Sequence, residues 1–412
     1  MKGKTRVLII GKVWPEPDSS AAGSRMVQLI HLFKSQDWEV IFTSAAGKSE
    51  YTVNLGELGV KEADIRLNDS SFDIFIKELN PEIVLFDRFM TEEQFGWRVA
   101  ENCPNALRIL DTEDLHCLRM GRHQALKSGR AFSNSDLITE HSKREIASIY
   151  RCDLSLIISS KEMEILTSFF RVDDALLIHL PFMLEQINKE KTEQWLPFEK
   201  RNHFISIGNF LHEPNWDAVL FLKNEIWSKI RDQLPNTELH VYGAYPSEKV
   251  FQLQNKKEGF IVKGRAENVE EVMGRTRVCL APLRFGAGLK GKLIDAMQYG
   301  TPSVVSDIGR EGMTKGFEWP GVIQNEPGAF AKSAVELYQN KELWNAAQSV
   351  GQSIINSEYF KNDIGQTLVF KIKELVKNLS HHRQNNFTGA MLHHHSMAST
   401  KFMSRWIEEK NK

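Results

Sequence analysis

Residues 278–313, VCLAPLRFGAGLKGKLIDAMQYGTPSVVSDIGREGM, concentrate the side chains best suited to chemistry. Gly286, Gly288 and Gly291 permit positive φ and close backbone approach. The pattern predicts a helix from about 290 to 299, stopped by Gly300 and Pro302. Lys290 and Lys292 therefore sit in its first turn, where the helix dipole is already positive. Free N–H groups make that end an anion site. A diphosphate would use glycine N–H groups, dipole and both ammonium groups together. Asp295, about one turn on, is placed to accept from two ribose hydroxyls. The competing readings are lysines solvated at the surface and an i,i+3 pair between Asp295 and Lys292.

A second concentration is DTEDLHCLR, 111–119, with Asp111, Glu113, Asp114, His116 and Arg119. It follows a predicted strand, so it lies at a carboxyl edge where ligands bind. Such groups at a cleft are candidates for proton transfer or for orienting a hydroxyl. The competing reading is a network of caps and salt bridges.

The elements that must position these groups read as two βαβ series. Strands are expected at 7–10, 39–43, 83–86, 107–110, 154–158 and 176–180, with a helix at 138–150. Ser159-Ser160-Lys161-Glu162 has the form of a capping box. The charged stretch 183–200 reads as a linker. A second series follows, with strands at 203–207, 238–242, 260–263, 278–282, 303–306 and 321–323. The tail 359–412 is helical in period. Its His393-His394-His395 points three ways on a helix, which disfavours a shared metal. The expected domains are 1–182, 183–358 and C-terminal helices 359–412 packing back on the first.

The stretch 278–313 resembles the donor signature of the group 1 glycosyltransferases, a retaining family of GT-B architecture. Asp295-Ala296-Met297 and Gly300-Thr301-Pro302-Ser303-Val304-Val305 match its second acid and following strand. Its first acid falls on Ala287 and is absent, whereas Gly286 to Lys292 matches a branch with Gly-x-Gly-x-Lys-x-Lys. Phe204 to Ala218 resembles the donor domain's first strand and loop. The resemblance implies two Rossmann-like doubly wound α/β domains facing a cleft. It implies donor contacts from Gly208, Asn209, His212, Gly288, Lys290, Gly291, Lys292, Asp295 and Glu311. Lys290, Lys292 and Arg284 would supply the phosphate's counter-charge. Asp114 and His116 would lie near an acceptor hydroxyl, with Arg119 contacting acceptor or phosphate. Gly23 and Ser24 match the family's N-terminal glycine loop; Asp87-Arg88 lies at another strand edge. The implied reaction is metal-independent transfer, without a cofactor, from a nucleotide-diphosphate sugar to a glycan or lipid-linked acceptor. The alternatives are an epimerase or phosphorylase on the same architecture, or a nucleotide-sugar-binding protein without catalysis.

The bulk numbers agree with this frame. A chain of 412 residues exceeds one core and favours two domains. A formal charge of -1 argues against a nucleic-acid partner. Cys103, Cys117, Cys152 and Cys279 lack metal spacing and read as free thiols of a reducing compartment. The apolar run 7–10 is too short for a secretory leader, and no stretch reaches the length of a membrane span. The expectation is a cytoplasmic protein that at most rests on the inner membrane surface; oligomeric state is not fixed by the sequence.

Overall fold

The β-branched runs form two all-parallel sheets in a computed structural model, which describes residues 4–412. The first sheet holds β1 (Arg6–Gly11), β2 (Glu39–Ser44), β3 (Lys61–Asp64), β4 (Ile83–Asp87), β5 (Leu107–Asp111), β6 (Leu154–Ile157) and β7 (Leu177–His179). Their order is β3-β2-β1-β4-β5-β6-β7. The second holds β8 (Asn202–Ile207), β9 (Leu239–Tyr242), β10 (Phe260–Gly264), β11 (Thr276–Ala281), β12 (Ser303–Val305) and β13 (Gly321–Ile323). Their order is β10-β9-β8-β11-β12-β13. Both are doubly wound, with the strand order reversing beside β1 and beside β8. Each strand expected from the sequence is present to within two residues. The addition is β3, whose KEAD sequence is mostly exposed and carries no apolar signal.

Helices cover both faces of each sheet, so β4, β5 and β6 are buried throughout. Helix Lys361–Asn385 places Leu368, Ile372 and Leu375 in one apolar cluster with Val7 and Ile9 of β1. Helix Phe387–Lys410 packs on helices Phe89–Asn102 and Glu140–Arg151. At their junction Arg383 forks Asp153 at 2.7 and 2.8 Å. His393 is turned inward, its Nε2 2.9 Å from the Arg151 carbonyl, whereas His394 and His395 are exposed. The chain thus crosses between the two sheets twice, and the crossings are tied together. Leu184 N–H donates to Tyr359 (2.7 Å), and Lys361 N–H donates to Leu184 (2.8 Å).

All four cysteines are buried and free. Among the described residues, no helix is long and apolar enough to cross a membrane.

Candidate functional site

Loops from the carboxyl edges of β1, β4 and β5 meet those that follow β8, β9, β11 and β12. Asn209 Nδ2 donates to Ser19 O at 3.3 Å. Tyr245 OH lies 2.8 Å from both oxygens of Glu16. His123 stacks on Phe285 at 4.2 Å. Arg122 forks Glu311 with two 2.7 Å bonds and also donates to Gly286 O at 2.8 Å. A pocket of about 260 Å3 remains between the edges, lined by Glu16, Gly23, Arg88, Asn209 and Tyr245 among others.

On the second-domain side, β11 runs through the glycine loop into helix Gly291–Gln298. Gly286 and Gly288 have φ of 153° and 62°. Gly291 is helical, so its need for glycine differs from the expected one: a Cβ there would lie 2.7 Å from Ala21 Cβ of the first domain. Lys290 is 8% exposed and curls onto its own loop, donating to Gly288 O at 2.6 Å and Ala287 O at 3.3 Å. Lys292 Nζ donates to Asn215 Oδ1 at 2.8 Å, beneath Gly208, where a Cβ would sit 2.9 Å from that nitrogen. Both ammonium groups are drawn down to about 8 by burial. Among the described residues, neither has a carboxylate within salt-bridge distance.

Asp295 is half-buried and does not pair with Lys292; burial alone pushes its carboxyl up to about 7. Arg284 is engaged elsewhere, donating to Asp217 at 2.9 Å and lying over Phe221. Asn209 O accepts from Asn215 at 3.0 Å, and His212 is exposed at the start of the next helix.

On the first-domain side, Ser20 caps helix Ala21–Ser35 by accepting the Gly23 N–H at 3.0 Å. Ser24 closes the same loop, donating to Pro17 O at 2.8 Å. Arg25 and Asp111 form a fully buried pair at 3.0 Å. Arg119 forks Asp114 at 2.7 and 3.4 Å, and His116 Nδ1 lies 3.6 Å from it. Burial works to raise the Asp114 carboxyl, but Arg119 and His116 outweigh it and hold it well below the usual carboxylate range. His116 also sits 3.3 Å from Glu145, which accepts the His116 and Cys117 N–H groups at 2.7 Å. A Cβ on Gly288 would lie 3.0 Å from Asp114 Cβ, so this loop meets the glycine loop directly.

Two expectations are corrected here. The capping box at Ser159 does not form: Ser159 accepts from Lys161 N–H, whereas the Glu162 carboxyl leaves the helix end. Its Oε1 accepts N–H bonds from Leu115 (2.9 Å) and Gly288 (2.8 Å). The Gly288 N–H is therefore occupied and does not face a phosphate. Glu113, one of the clustered candidates for proton transfer, is buried, with φ of 60° and an Oε1 without a hydrogen-bond partner. Burial and the neighbouring Asp111 push its carboxyl far up. Away from the cleft, His203, Glu238 and His240 bring three ligand-type atoms within 4.8 Å of one another. They bond among themselves, with His240 Nε2 2.7 Å from Glu238 and Glu238 N–H donating to His203 Nδ1 at 3.2 Å.

Residues 201–340 match the family model described as glycosyl transferases group 1. No curated protein matches the chain. Among solved structures, sucrose-phosphate synthase from Thermosynechococcus elongatus superposes with a TM-score of 0.67 at 14% identity, covering 90% of this chain and 99% of its own. A point mutant of S. aureus TarM, solved with Fondaparinux, alpha-GlcNAc-glycerol and UDP, gives 0.67 at 10%, covering 89% and 100%. HepE of Anabaena, solved with UDP and glucose, gives 0.64 at 12%, covering 90% and 100%. At these identities the likeness establishes the fold, the paired Rossmann-like domains of the GT-B arrangement.

Proposed function

We propose that this protein is a retaining glycosyltransferase that moves a sugar from a nucleotide-diphosphate donor to an acceptor hydroxyl. One observation carries the reading: buried Lys290 and half-buried Lys292, at the start of helix Gly291–Gln298, have no carboxylate within salt-bridge distance among the described residues. Buried ammonium groups are costly unless an anion meets them, and a helix amino end favours the same anion. A diphosphate leaving group complements these two positive charges. Asp295, unpaired and half-buried, is the acceptor for ribose hydroxyls.

In the transfer step the acceptor oxygen bonds to the anomeric carbon as the carbon–oxygen bond to phosphate breaks. The electron pair leaves with the diphosphate. Lys290, Lys292 and the helix terminus stabilise that developing charge. Asp114 is held ionised by Arg119, so it is a poor proton acceptor; it orients the hydroxyl and offsets positive charge at the anomeric carbon. The hydroxyl proton passes to the departing phosphate oxygen on the same face, which retains configuration. Because protein cations supply the counter-charge, no metal ion or cofactor enters the scheme.

The test is a calorimetric and thermal-shift panel of UDP-, GDP-, ADP- and dTDP-sugars, run with and without EDTA. One nucleotide series raises the melting temperature by mass action, and EDTA leaves the shift unchanged. Absence of heat and of any shift across the panel overturns the reading.

The proposed acceptor is a glycan or lipid-linked oligosaccharide, met by a cytoplasmic protein in peripheral contact with the membrane. Phe387, Phe402 and Trp406, exposed on the last helix, suit such contact. Co-flotation with anionic phospholipid vesicles checks it, and a chain left wholly in the unbound fraction removes it.

A further inference from the structure

Glu162 has no part in the transfer scheme above, yet it is fully buried where the two domains meet. It projects from the short helix Ser160–Glu164 after β6. One oxygen, Oε1, accepts two backbone N–H groups from opposite sides of the cleft. Leu115, at 2.9 Å, directly follows Asp114 and precedes helix His116–Lys127. Gly288, at 2.8 Å, lies in the glycine loop two residues before Lys290. The other oxygen, Oε2, is buried without a hydrogen-bond partner. Gly288 can supply this N–H because of its left-handed φ of 62°, in close approach to Asp114. The adjacent Ala287 side chain is absorbed into the first domain's apolar cluster, so the glycine loop brings no acid of its own to this contact.

We propose that Glu162 is a positioning residue that clamps the donor loop to the acid loop, setting Asp114 and the two lysines in register when the domains close. The inference rests on the transferase reading and deepens it. Burial and the nearby Asp114 charge push the Glu162 carboxyl up to about 8, against the two N–H bonds and Lys290. At neutral pH it is thus held as an acid, whose carbonyl oxygen accepts both N–H groups. Glutamine reproduces that arrangement; alanine removes it.

Three readouts on the full chain test the clamp. Losing a pair of N–H bonds to one carboxyl should slow nucleotide release from the donor sugar by about tenfold to hundredfold in Glu162→Ala at saturating donor. Nucleotide affinity, held by the second domain, stays within about threefold. Small-angle scattering of ligand-free Glu162→Ala gives a larger radius of gyration than the wild type. Glu162→Gln recovers most of the rate and the compact radius. The inference is overturned if Glu162→Ala keeps wild-type rate and radius, or if it loses nucleotide affinity and melting temperature together. It is equally overturned if Glu162→Gln is as impaired as Glu162→Ala. Scattering reads the clamp without any nucleotide, so failure here is separable from failure of the transferase reading.

Discussion

Lys290, Lys292 and Asp295 carry opposite proton debts, and together they set a pH window for donor binding. The lysines lie near 8 in the free protein because burial penalises their charge. A bound diphosphate favours the ammonium forms and raises both toward their ordinary value. Affinity from these contacts is therefore complete below pH 8 and is lost as pH climbs through the bound values. Asp295 lies near 7 for the same reason of burial. Ribose hydroxyls donate to its ionised form and lower it on binding. That contribution is complete above pH 7 and is lost as pH falls. Nucleotide affinity should peak between about pH 7 and 8, weakening by up to about tenfold per pH unit and per group on either side. Calorimetry in buffers of different ionisation heat should show proton uptake at pH 9 and release at pH 6. Asp295→Asn removes the release and leaves the uptake; release that persists in that variant would detach Asp295 from the ribose.

Helix Gly291–Gln298 shows what an element needs from beyond its own sequence. Its start and its stop at Gly300, with φ of 64°, follow local rules and were legible. So were the strands, because period and β-branching are properties of neighbouring residues. The function of Gly291 was not legible, since Ala21, its reason for being glycine, belongs to the other domain. Glu162 misled in the same way: its spacing from Ser159 obeys the capping rule, but Leu115 and Gly288 offer two N–H groups in place of one. The acid loop was legible as a cluster, whereas its internal pairing of Asp114 with Arg119 needed three dimensions. The close approach of the two helix starts makes a quantitative prediction. Gly291→Ala puts two Cβ atoms 2.7 Å apart and props the cleft open. Donor turnover should fall by about tenfold, the effect of an overpacked contact of 1–3 kcal/mol. Adding Ala21→Gly should restore most of it, a non-additivity expected only of touching sites. Additive losses in the double variant would mean that the contact is not the cause.

For the whole molecule, the closed cleft raises a question of access. Glu162 is fully buried and Lys290 only 8% exposed, so the loop proposed to meet the diphosphate is largely covered in this closed form. Donor entry then calls for the domains to part, while the chain's two crossings stay tied at Leu184, Tyr359 and Lys361. One contact that resists parting is Arg122, which spans the cleft with a fork to Glu311 and a third bond to Gly286. It is buried, so salt screens it weakly and removing its charge is felt. Arg122→Gln should shift the free protein toward the open form. If opening limits entry, nucleotide association in stopped-flow mixing then rises several-fold, in proportion to the open fraction. The rate of transfer at saturation falls, because closure completes the site. A purely structural Arg122 would instead lower the melting temperature and leave association unchanged. The two outcomes differ in a single stopped-flow trace, and the first makes the cleft a gate that this guanidinium helps Glu162 to hold shut.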